Sequence, residues 1–177
     1  MTTIPIPDSG LVVLIGPAGA GKTTFAARHF DAPEVLSSDA FRLLLSGDEA
    51  DQRRTRTAFS MLHREVVRRL AVGRLVVVDA TNVELHARRA LVARARSAGV
   101  PAIAIVLALA SDVVRLRNAA RTERVVPAAI VERHIERLEA ALGDGGIRDE
   151  GFTAVYVLRS VAEVTAVVIA RQGSRGA

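Results

Sequence analysis

Short apolar runs alternate along this chain with stretches in which apolar positions return every three or four residues. The runs at 11–15, 34–36, 75–78, 101–109 and 153–158 predict strands. Most of them lack polar alternation, as expected of parallel strands covered on both faces. Helical spacing predicts helices over 21–30, 39–45, 52–72, 84–98, from Ser111 or Asp112 to 120, 127–142 and 160–171. In the longest, Ala58, Met61, Leu62, Val66 and Leu70 form one stripe. Gly73 and Gly99 follow two helices as C-terminal stops, and Pro127 opens another at its first turn. Residues 1–9, with Pro5 and Pro7, read as an extended lead-in, and 46–51 and 143–151 as loops. The alternation predicts an α/β fold: a central parallel sheet of about five strands with helices on both faces. At 177 residues the chain forms one domain, 1–171, followed by a small polar, linker-like tail, 172–177.

In such a fold, ligands sit beyond the carboxyl ends of the strands. The first strand runs into Gly16, Pro17, Ala18, Gly19, Ala20, Gly21, Lys22 and Thr23, a full phosphate-binding loop, with Thr24 next. Its glycines let backbone N–H groups approach phosphates, and the helix that follows presents its positive end. Lys22 would neutralise the β- and γ-phosphates of ATP or another NTP, and Thr23 would ligate Mg²⁺. Asp79, ending the apolar run Val76-Val77-Val78, stands where a carboxylate supports that ion, directly or through water; bonding to the loop backbone is its structural alternative.

Asp39 follows the second strand. It is either a base for an attacking hydroxyl or a helix N-cap, with Ser37 and Ser38 as competing caps. Arg42, three residues on, shares its helix face and can hold an acceptor phosphate or simply face solvent. Arg115, Arg117, Arg121 and Arg124 cluster before the helix that Pro127 begins. That placement suits a closing helical lid whose Arg117 and Arg121 meet the transferring phosphate; a solvated basic helix end is the plainer reading. His29, His63, His86 and His134 show no metal-ligand spacing and read as surface or packing residues.

Composition narrows the picture in three ways. Of 24 basic residues only Lys22 is lysine, so the chain uses a compact ammonium where a nucleotide's phosphates belong. The absence of cysteine excludes disulfides and thiolate metal sites, and suits a cytoplasmic protein. No apolar run is long enough to span a bilayer, and no membrane partner is expected. A net charge of +5 admits a polyanionic partner, while five Phe, one Tyr and no Trp leave little surface for stacking bases.

With these residues in view, the chain resembles the 5′-kinase domain of bacterial polynucleotide kinase-phosphatase and, more distantly, the phage polynucleotide kinases. The resemblance rests on residues 16–23, Ser37-Ser38-Asp39-Ala40-Phe41-Arg42, Val77-Val78-Asp79-Ala80-Thr81-Asn82, Arg117-Asn118-Ala119-Ala120-Arg121-Thr122 and Glu150-Gly151-Phe152. It implies a P-loop kinase fold and transfer of the γ-phosphate of ATP or another NTP to the 5′-hydroxyl of RNA or DNA ends. Asp39 would be the general base, Arg42 would engage the acceptor's phosphate, and Arg117 and Arg121 would contact donor phosphates from the lid. In that family phosphatase and ligase modules follow this domain. The only lysine lies in the phosphate loop, which leaves none for lysine adenylation. Two other readings stay open. One is a small-molecule kinase acting on a sugar, sugar acid or other metabolite; the other is a nucleotide-binding repair module without catalysis.

Overall fold

The computed structural model describes residues 2–46, 55–122, 125–143 and 146–172. Its strands are β1 (Thr3–Pro7), β2 (Gly10–Ile15), β3 (Val35–Ser37), β4 (Leu75–Asp79), β5 (Ala102–Leu107), β6 (Ala154–Leu158) and β7 (Val168–Gln172). The helices are α1 (Lys22–His29), α2 (Ser38–Ser46), α3 (Thr55–Ala71), α4 (Leu85–Ser97), α5 (Ser111–Ala119), α6 (Ala128–Leu142) and α7 (Val161–Ala166). Five strands form one wholly parallel sheet in the order β3-β4-β2-β5-β6.

β2, β4 and β5 are buried at every position, the physical reason their sequences show no polar alternation. Alternate residues of β2 divide the core. Leu11, Val13 and Ile15 pack with Leu62, Val66 and Leu70 of α3 and with Leu91, Val92 and Ala95 of α4. Val12 and Leu14 pack on the other side with Phe25 and Ala26 of α1 and Ile4 and Ile6 of β1. A third cluster joins Ala18 to Val114 of α5 and to Val131 and Ile135 of α6.

From β2 the chain passes to β3 and β4 on one side of the sheet, then to β5 and β6 on the other. The carboxyl end of β2 is therefore the topological switch point, the crevice that open parallel sheets use for ligands. The glycine-rich loop stands there.

The expected helix over 160–171 is a correction. Ser160 does cap α7, its Oγ accepting from the N–H of Glu163 at 3.1 Å, but the helix ends at Ala166. The chain then enters β7, which pairs in parallel with β1 in a separate two-stranded sheet. The β-branched Val167-Val168-Ile169 favours extension, and Val167 and Ile169 join the cluster around Ile4 and Ile6. Part of the expected extended lead-in is therefore a strand. Gln172, which opens the expected tail, is the last residue of β7; 173–177 lie outside the described residues, as do 47–54 and Arg124. No helix among the described residues is long and apolar enough to cross a membrane.

Candidate active site

Gly21, at φ 90°, caps the N-terminus of α1, and its backbone lies in the left-handed region that glycine adopts without strain. Gly19, at φ +92°, answers to a second constraint. A Cβ there would lie 2.5 Å from the carbonyl oxygen of Val114, so the loop passes against the backbone of α5. Lys22 is buried and its Nζ donates to the carbonyl of Pro17 at 2.9 Å, folding the side chain back over the loop. The Thr23 hydroxyl donates to Asp79 Oδ2 at 2.8 Å, joining the start of α1 to the end of β4. A hydroxyl and a carboxylate side by side at the loop's mouth are hard oxygen donors, and they fit Mg²⁺.

A cleft of about 490 Å³ opens on one side of the loop. Ala18, Lys22, Thr23, Asp39, Arg42, Asp79 and Arg121 all line it, so six of the ionisable or hydroxyl residues singled out in the sequence converge on one space. Asp39 and Arg42 form an ion pair within one turn of α2, with Arg42 buried and Asp39 more open. The backbone N–H of Asp39 donates to Ser37 Oγ at 3.2 Å, so Ser37 serves that amide. A second pocket, about 370 Å³, lies across the loop and is lined by Gly19, Ala20, Gly21, Thr24, Arg117 and Arg121 with Val161, Val164 and Thr165. Arg121 lines both spaces and Arg117 only the second. Gly16 and Pro17 line neither: Gly16 packs under the backbone of Leu107, and Pro17 holds Lys22. Arg115 is turned to Glu132 of α6, 2.6 Å away.

The cleft floor is held by contacts the sequence alone did not reveal. Asn82 is the one non-glycine residue with positive φ (49°) among the described residues; its Nδ2 donates to Leu14 O at 2.8 Å. The N–H of Gly16 donates to Thr81 O at 2.9 Å. Beneath them Arg88, 1% exposed, donates to the carbonyls of Asn82 (3.1 Å) and Val83 (2.6 Å) and makes a bidentate pair with Glu150 (2.7 and 2.6 Å). On the lid side, Asn118 bonds both the C=O and the N–H of Val126, fixing the connection between α5 and α6.

Three of the four histidines line the large cleft: His63, His86 and His134. They reach it from α3, α4 and α6, a meeting that no linear spacing encodes. Burial, reinforced by Arg94, pushes His63 down to about 4. Burial, reinforced by Lys22 and Arg133, does the same to His134. Both rings are neutral at pH 7, so the cationic character of the cleft comes from Lys22 and the arginines. No group of three or more His, Cys, Asp or Glu suited to a metal ion occurs among the described residues.

Solved structures share this architecture. One chain of the Pnkp1/Rnl/Hen1 RNA repair complex superimposes with a TM-score of 0.65 and 23% identity over 76% of this chain and 45% of that one. This chain thus spans less than half of that relative. Kti12 of Chaetomium thermophilum, in complex with ADP-AlF3, gives 0.64 and 17% identity over 88% and 93% of the two chains. A sugar kinase from Janibacter sp. HTCC2649 gives 0.59 and 20% over 85% of each. At these identities the likeness is one of fold, that of the P-loop kinases. No curated protein matches the sequence. The family of AAA domains designated AAA_33 matches residues 11–143, from the first core strand through α6, and the chain belongs to that family.

Proposed function

We propose that this protein is a polynucleotide 5′-hydroxyl kinase, transferring the γ-phosphate of ATP or another NTP to the 5′-OH of an RNA or DNA end. The observation that carries the reading is the Asp39–Arg42 pair, set in the same cleft as Lys22, Thr23 and Asp79. A kinase needs a donor space and an acceptor space that meet at the γ-phosphate. The two pockets flank the loop and share Arg121. The pocket over Thr24, Val161 and Val164 suits the donor nucleoside, and the larger cleft suits the acceptor.

In the proposed reaction Asp39 accepts the proton of the 5′-hydroxyl as its oxygen attacks the γ-phosphorus. The new O–P bond forms, the bond to the β-bridging oxygen breaks, and the nucleoside diphosphate leaves with that electron pair. Lys22, Arg117 and Arg121 offset the charge growing on the phosphoryl oxygens. Thr23 and Asp79 would hold Mg²⁺, directly or through water, and the ion would neutralise the β- and γ-phosphates. Arg42 releases Asp39 to engage the phosphate that follows the acceptor's first sugar. On this reading the partners are 5′-OH ends and the other modules of an end-healing assembly, with 1–171 as the kinase domain.

One observation favours a second reading, a small-molecule kinase for a sugar, sugar acid or metabolite. The cleft volume lies within the range of small-molecule sites, and Phe59, Val83, Ala87, Ala90 and Ile130 give it an apolar wall. Incubation with γ-labelled ATP, Mg²⁺ and a 5′-OH oligonucleotide separates the two. Label on the oligonucleotide end is expected; turnover on a sugar or sugar acid with no end-labelling overturns the polynucleotide reading.

A further inference from the structure

His63 forms part of the wall of the large cleft. That residue also lines a shallow groove of about 460 Å³ bounded by Ser60, Arg64, Val67 and Arg68 of α3 and by Arg94 of α4. The groove and the candidate acceptor site thus share the His63 side chain as a common wall, and the groove's lining contains three arginines and no acidic residue. The charges differ in availability. Glu65 engages Arg68 through two bonds of 2.7 Å and Arg69 through one of 2.6 Å. Arg64 is exposed and has no ion-pair partner among the described residues. Arg94 donates to the carbonyl of Ala90 at 2.6 Å, within its own helix, so its positive charge also meets no carboxylate among them.

An open groove of one sign cannot enclose a metabolite. It suits a ligand whose charges repeat along its length and stay hydrated on one side, which is the chemistry of a single-stranded polyanion. Its lining holds no Phe, Tyr or Trp, and His63 is its one ring, so contacts would run mainly to phosphates and carry little base preference. We propose that this groove is the track of the acceptor strand: the 5′-terminal nucleotide occupies the cleft, and the phosphates beyond it pass His63 onto Arg64 and Arg94. The inference rests on the polynucleotide reading and deepens it, because a small-molecule kinase has no use for such an exit.

The test compares acceptors of increasing length: a nucleoside 3′-monophosphate, a 5′-OH tetranucleotide and a 5′-OH dodecanucleotide, each at several salt concentrations. For the natural protein, KM is expected to fall at least roughly tenfold from monomer to dodecamer, most steeply at low salt. In Arg64→Gln/Arg94→Gln the advantage of the dodecamer should shrink to under about twofold. The slope of log KM against log salt should flatten by about 1.4, or about 0.7 for each phosphate that an arginine no longer neutralises. Arg64→Glu, a change at an exposed position, should raise the dodecamer KM by itself, and matching thermal midpoints exclude a folding defect. Length dependence that survives in both variants, or is missing from the natural protein, overturns the track. Failure of the polynucleotide reading looks different: the natural protein then phosphorylates none of the three acceptors.

Discussion

Asp39 exposes its carboxylate at the cleft while Arg42 holds it from within the same helical turn. Asp39→Asn preserves the shape and removes the basicity. Phosphoryl transfer is expected to fall at least roughly a hundredfold while ATP affinity stays within about twofold. Single-turnover rates beside equilibrium nucleotide titration check this, and equal losses in both would make Asp39 structural and favour a non-catalytic nucleotide-binding module. Gly19→Ala asks a different question. Its new Cβ would meet the Val114 carbonyl at 2.5 Å in a backbone conformation alanine resists, so the loop must leave α5. Loss of nucleotide binding together with a lowered thermal midpoint is expected; binding at natural strength would mean that the loop does not need this approach. Residues of this kind were legible in the sequence because the phosphate loop is local. His63, His86 and His134 were not, since their shared wall exists only once three helices pack.

Among the elements, α4 and the short 3-10 turn at Gly146–Glu150 are tied by Arg88 and Glu150, 62 residues apart, both nearly sealed from water. Along the sequence Arg88 looks like one more arginine on a basic helix. Its burial comes from packing beneath the Asn82 and Val83 carbonyls, where a guanidinium can bond two carbonyls and a carboxylate at once. Glu150→Gln leaves that cation without its anion and should cost about 3–5 kcal/mol, measured by urea unfolding. Arg88→Met/Glu150→Leu should recover part of the loss, because neither charge is then buried; a double variant no better than the single one would show that shape matters more than charge. The misjudged helix at 160–171 has a related cause. Ser160 marks where α7 starts, yet its end is decided by β1, more than 150 positions away in the chain, whose pairing draws Val168–Gln172 into a strand.

For the whole molecule, burial of neutral imidazoles couples stability to pH. His63 and His134 are held near 4 against an ordinary value of 6.5. Above 6.5 neither the folded nor the unfolded chain protonates them. As pH falls below 6.5, the unfolded chain takes up protons that the folded one refuses, so stability declines until both states are protonated near 4. The thermal midpoint should drop across this window, and His63→Gln/His134→Gln should flatten the drop; an unchanged slope would place the loss elsewhere. Glu65, held near 2 by its hydrogen bonds to Arg68 and Arg69, acts in the same direction at lower pH, its contribution being lost as pH falls from 4.5 towards 2. The sequence by itself determined the parallel α/β class, the phosphate loop and the carboxylates after successive strands, because each is a short-range pattern of burial or backbone shape. Only the tertiary structure decided which arginine lies under the cleft floor and which faces the groove, and where the chain's last helix gives way to a strand. Those outcomes depend on long-range strand order and helix packing, whose energies are shared among residues far apart in the chain and leave no periodic trace along it.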